Sequence, residues 1–176
     1  VQQLGHHGLV THRPSFIPHG GRSLSPEELI ALYADMEAIV RGSHLFKSLD
    51  DTARGELLSS AFVQHFDAGE MVLREGDLGD TMLLLMEGTV RVHTHSPLAE
   101  IQLAELGRGA CIGEVSVLTG SPRTATVDAI TPVTCAVLAR HRVERVLDAH
   151  PRVRELLEAL VEGRARNTID RILGGE

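Results

Sequence analysis

Between Phe62 and Ala139 glycine turns cut the chain into runs of strand length. Ala68-Gly69-Glu70, Glu75-Gly76-Asp77-Leu78-Gly79-Asp80 and Glu87-Gly88-Thr89-Val90 each interrupt an apolar segment before a helix of ordinary length could complete. The most apolar stretch, Thr81 to Met86, is itself no longer than a strand. Regular punctuation of this kind predicts an antiparallel jelly-roll β-barrel. Val90 and Val92, followed by Ile101 and Leu103, predict a hairpin whose tip holds His93 to Pro97. With 43% hydrophobic residues the chain can fill such a core. No apolar run approaches the length of a membrane span.

Helical patterns flank this region. Residues 1–24 hold four histidines (His6, His7, His12, His19) without apolar periodicity and read as a disordered leader. Residues 25–61 form an N-terminal helical segment. Ser25-Pro26-Glu27-Glu28 is a capping box with proline at the first helical position. The stripe that follows is Leu29, Leu32, Tyr33, Met36, Ile39 and Val40, and Gly42 can end it. A second helix is predicted around Asp50–Ala61. The barrel occupies 62–140, and residues 141–176 return to helical periodicity. Val143, Val146 and Leu147 mark a short helix; Pro151 opens a longer one striped by Val153, Leu156, Leu157, Leu160 and Val161, interrupted at Gly163, then Ile169 and Ile172. The predicted class is α+β, mainly β. No internal repeat and no helix-turn-helix pattern is visible. The chain begins at Val1 rather than Met, as an excised or processed fragment would.

Chemistry concentrates in Ile112 to Val127, IGEVSVLTGSPRTATV. Gly113 removes a side chain where something must approach the backbone. A helical turn after it would offer unpaired N–H groups to an anion. Arg123 supplies a planar cationic fork suited to phosphate. Glu114, acceptor-only when ionised, calls for a donor such as a sugar hydroxyl. An anion and a hydroxyl on one small ligand describe a sugar phosphate. A solvated Glu114–Arg123 salt bridge is the plain alternative.

The segment resembles the phosphate-binding cassette of the cyclic-nucleotide-binding domain family, F-G-E-x-A-L, a turn, then P-R-x-A-T-V. Ile112 replaces the aromatic and Ser116 the small apolar residue. The likeness extends over roughly residues 45–160. It implies that Arg123 and the backbone N–H groups of Val115, Ser116 and Thr124 hold a cyclic phosphate, within a cassette running from Gly113 to Ala125. It gives Glu114 the ribose 2′-hydroxyl, and lets the Thr124 hydroxyl bond the phosphate or a syn guanine. Val92, Leu106 and Ile112 would line the base pocket. The chain has no tryptophan, so any lid must be aliphatic or cationic, and Leu160, Arg164 and Arg166 are the candidates. The resemblance implies a regulatory sensor of cAMP or cGMP, without catalytic residues, metal or cofactor, that signals through its C-terminal helices to a fused or partner effector or to a second copy of itself.

Other classes fit less well. A net charge of -7 argues against nucleic-acid binding by this chain. Cys111 and Cys135 have neither metal spacing nor a disulfide-rich setting, which predicts a reducing, cytoplasmic compartment. His93, His95, Glu100 and Gly107 resemble the first metal motif of cupins, jelly-roll metalloenzymes whose ligands are imidazoles and a carboxylate. The second cupin motif is missing, and the two histidines read as solvent-facing at the hairpin tip.

Overall fold

The computed structural model describes residues 26–43, 46–96 and 99–172. The leader at 1–24 lies outside them, as does the capping serine Ser25. Two helices, α1 (Pro26–Gly42) and α2 (Asp51–Leu58), precede the strands. Asp50 caps α2, its Oδ1 accepting from the Ala53 N–H at 2.8 Å. This helix stops at Leu58, three residues before the predicted end at Ala61.

Strands β1 (Phe62–Phe66), β2 (Met71–Leu73), β3 (Thr81–Glu87), β4 (Val90–His95), β5 (Glu100–Leu106) and β6 (Cys111–Ile112) lead to a short helix α3 (Glu114–Thr119). Strands β7 (Thr126–Ala129) and β8 (Val133–Ala139) follow, then α4 (Arg140–Ala149) and α5 (Pro151–Ile172). The strands form two four-stranded antiparallel sheets, ordered β1-β8-β3-β6 and β2-β7-β4-β5. This is the antiparallel jelly roll the glycine punctuation predicted.

Two apolar clusters explain why β3 reads as an unbroken apolar run. Leu83 and Leu85 point between the sheets and join Val90, Ile112, Val127, Val133 and Val137. Met82, Leu84 and Met86 alternate to the other face and meet the helices through Val40, Leu57, Leu147 and Leu157. A strand covered on both faces has no need of polar alternation. Arg108, just beyond β5, ties α1 to the barrel by donating to both carboxylate oxygens of Asp35 and to the Met86 carbonyl at 2.6 Å.

Strand β8 runs into α4 without a connecting residue, and α4 ends at His150 (φ -130°, ψ 70°), where Pro151 opens α5. Gly163 does not break α5, which continues to Ile172. Val153, Leu157 and Val161 are its buried side, whereas Leu156 and Leu160 of the predicted stripe are exposed. The side chains of Ile169 and Ile172 lie outside the described residues. Among the described residues no helix is long and apolar enough to cross a membrane.

Candidate functional site

The segment singled out by its chemistry folds around a cavity of about 490 Å³. Strand β6 delivers Ile112 to its wall. Gly113 then turns with φ +78°, a conformation that disfavours any other residue, and starts α3 at Glu114. After α3 closes on Gly120 (φ +75°), Pro122-Arg123 returns the chain past the site into β7. The glycine turn after β2 braces this return. The Gly76 N–H donates to the Arg123 carbonyl at 2.9 Å, and the Arg123 N–H donates to the Asp77 carbonyl at 2.8 Å.

All ten residues predicted for the binding site line the cavity. These are Val92, Leu106, Ile112, Gly113, Glu114, Val115, Ser116, Arg123, Thr124 and Ala125. Leu73, Leu103, Ala104, Cys111, Val127 and Ala165 complete the lining. Most are plain strand positions, which carry no signal beyond alternation. Of the three lid candidates only Arg164 reaches the cavity. Leu160 is 44% exposed, and Arg166 turns outward beside Glu162.

The two charged residues of the segment are buried and do not pair with each other. Arg123 Nη1 donates to the Gly113 carbonyl at 2.9 Å, and Nη2 to the Thr81 carbonyl at 2.7 Å and the Thr81 hydroxyl at 3.2 Å. These bonds leave at least two of the five guanidinium N–H groups for another acceptor. Burial pushes the proton affinity of Arg123 down, and Asp80 and Glu114 pull it back up. Gly79 makes room for this side chain, because a Cβ there would stand 2.2 Å from Arg123 Cζ. Glu114 accepts from Arg164 Nη1 of α5, which also lies 3.4 Å from the Cys111 carbonyl. Sequence reading missed Gly79, Thr81 and the Arg164–Glu114 pair. An α5 residue and a carboxylate fifty positions apart leave no local pattern.

Arg140, the first residue of α4, reaches the carbonyls of Gly79 at 2.8 Å and Ser116 at 2.5 Å, so α3 is clamped to the barrel. Both cysteines are free and buried. Burial pushes the Cys135 thiol up to about 12 and the Cys111 thiol well above its ordinary value, so neither is a ready nucleophile.

Residues 63–150, half of the chain, match the model of the family described as "Cyclic nucleotide-binding domain". The chain is 32% identical over 91 residues to the cAMP-dependent protein kinase type II regulatory subunit of Drosophila melanogaster, covering 52% of this chain and 24% of that protein. It is 31% identical over 118 residues to the cyclic nucleotide-gated potassium channel mll3241 of Mesorhizobium japonicum, covering 67% of this chain and 32% of the channel. It therefore spans a quarter to a third of these relatives. Among solved structures, the regulatory domain of Toxoplasma gondii PKA crystallised with cAMP superposes with a TM-score of 0.64 at 25% identity, over 66% of this chain and 44% of that one.

The cupin-like metalloenzyme finds no support. The matching family is a different one, and His93, His95 and Glu100 do not line the cavity. His93 and His95 lie on the other face of β4 from Val92, Glu100 beside them on β5, and His93 is only 4% exposed rather than solvent-facing. By its matched sequence and its fold, the chain belongs to the cyclic nucleotide-binding domain family.

Proposed function

We propose that this chain is a non-catalytic sensor that binds a cyclic purine nucleotide, cAMP in the first place, in the cavity under α5. One observation carries the reading: a buried carboxylate and a buried guanidinium share an apolar cavity without neutralising each other. Its volume falls within the range of small-ligand sites. Arg123 and the backbone N–H groups of Val115, Ser116 and Thr124 take the cyclic phosphate. Glu114 takes the ribose 2′-hydroxyl. Val92, Leu106 and Ile112 pack against the base, with Ala125 beside the phosphate. The relatives named for cAMP and for cyclic-nucleotide gating support the ligand class, and a regulatory subunit and a channel support a role in signalling.

Arg164 makes the site responsive. A ribose hydroxyl arriving at Glu114 meets this donor on the same carboxylate, and displacing it loosens or re-seats α5 and shifts a two-state equilibrium of the C-terminal helices. Leu156 and Leu160, exposed on α5, offer apolar contact to an attached effector or a second copy.

Calorimetric titration with cAMP and cGMP tests the reading directly. Arg123→Ala should cost about 2–4 kcal/mol of binding, because it strands a phosphate beside apolar walls. Parent-like affinity in that variant sinks the phosphate assignment. Glu114→Ala should weaken ribose ligands and leave 2′-deoxyribose analogues nearly unaffected.

A further inference from the structure

On the face of β4 turned away from the cavity, His93 and Asp128 form a 2.7 Å contact between Nε2 and Oδ2. An ionised carboxylate only accepts, so the proton belongs on Nε2 and the lone pair on Nδ1. That Nδ1 is buried and has no hydrogen-bond partner among the described residues. It faces Glu100 Oε2 at 3.3 Å, so in the neutral ring two lone pairs confront each other. His95, two residues along the same strand, places Nε2 3.8 Å from the same oxygen. One donor atom from each of the three residues falls within a 4.8 Å span.

We infer that His93, His95 and Glu100 form a divalent transition-metal site, of the zinc class, on the outer face of the β4–β5 pair. Two imidazoles and one carboxylate are a ligand set suited to Zn²⁺, and water can complete the tetrahedron. Ligand atoms ~2.0–2.1 Å from a tetrahedral zinc stand roughly 3.4 Å apart, the separation already found between His93 Nδ1 and Glu100 Oε2. His95 has a side chain 64% exposed and is free to turn the remaining distance. The supporting shell is in place. Asp128 fixes the His93 tautomer, as a carboxylate behind a metal-bound imidazole does. Arg91 holds Asp128 at 3.2 Å and the other Glu100 oxygen at 3.1 Å, leaving Oε2 to the metal. The site is distinct from the nucleotide cavity and carries no catalytic role.

Zinc titration of the full chain without nucleotide tests this, followed by calorimetry and by the thermal midpoint. The leader histidines are a competing sink, so the same titration is run with His6, His7, His12 and His19 all replaced by Gln. The expected result is one zinc per chain in both proteins, with a midpoint that rises until one equivalent is bound and falls back with chelator. His95→Gln alters an exposed side chain and should weaken zinc at least tenfold with the apo midpoint unchanged; Glu100→Gln should weaken it comparably. Zinc binding that disappears with the leader histidines overturns the site, as does parent-like zinc affinity in His95→Gln. Failure to bind any zinc overturns it too. None of these outcomes bears on nucleotide binding.

Discussion

Arg164, half-exposed on α5, donates to Glu114, a carboxylate whose side chain keeps only 6% of its exposure at the start of α3. The partner that the resemblance assigns to this carboxylate is a ribose hydroxyl, so protein and ligand would share one buried carboxylate. The C-terminal helix is tied, at that point, to the group the resemblance gives to the ligand.

Removing the competitor should therefore help the ligand. Arg164→Ala is expected to tighten binding of ribose cyclic nucleotides by up to about fivefold, since a half-exposed ion pair contributes ~0.2–1 kcal/mol. The gain should vanish for 2′-deoxyribose analogues. Calorimetry decides it: weaker binding in Arg164→Ala would mean that this arginine grips the ligand.

Thr124 lines the cavity and is exposed. Its hydroxyl should let cGMP bind at least tolerably beside cAMP. A hydrogen bond contributes ~0.5–1.5 kcal/mol net, so Thr124→Ala should shift the cAMP to cGMP affinity ratio by about tenfold or less, against cGMP. An unchanged ratio removes Thr124 from base recognition.

Gly79→Ala should act through Arg123. The added methyl would stand 2.2 Å from both Cζ and Nε of that side chain, whose fork is held by Thr81 and Gly113. Expelling it should lower stability by about 1–3 kcal/mol and weaken nucleotide binding in the same variant. Chemical denaturation and titration check the two effects, and parent values in both would show that the cradle yields at no cost.

The Asp35–Arg108 pair should show itself in acid. Its hydrogen bond with Arg108 holds the Asp35 carboxyl below the ordinary value of 3.8. A carboxyl lowered by folding contributes stability above its unfolded value, and loses it as pH falls through the lowered folded one. Asp35→Asn should thus be less stable than the parent near neutrality, with the gap closing below pH ~4. Thermal midpoints across that range measure it; a gap that persists at the acid end contradicts the assignment.

The cassette was legible because its chemistry is local. Gly113 turns, Glu114 and Arg123 face one cavity, and the intervening residues fix their separation. The barrel was legible through its turns. What sequence hid was every partner supplied by distant backbone. The carbonyls of Gly113 and Thr81 that hold Arg123 have no side-chain signature. Periodicity marked Leu156 and Leu160 as apolar on α5, but the barrel covers only the Val153–Leu157–Val161 line. His93 looked like a tip residue because a polar run, Thr94-His95-Ser96, follows it. It is buried because Asp128 of β7 and Glu100 of β5 converge on it from the adjoining strands, and Arg91 of its own strand ties both carboxylates.

The direct passage of β8 into α4 fixes where motion can begin. Arg140 is stapled to the Gly79 carbonyl before β3 and to the Ser116 carbonyl of α3, so α4 has little freedom to tilt, and the first backbone joint available is His150. From that joint α5 extends 22 residues, about 33 Å at 1.5 Å per residue, with Arg164 about 20 Å along it. A tilt of roughly ten degrees would move Arg164 about 3.5 Å, enough to break its contact, and carry the far end about 6 Å. On the proposed reading the helix acts as a pawl on a pivot: a displacement the size of one hydrogen bond at Glu114 is carried about 1.7 times as far at Ile172.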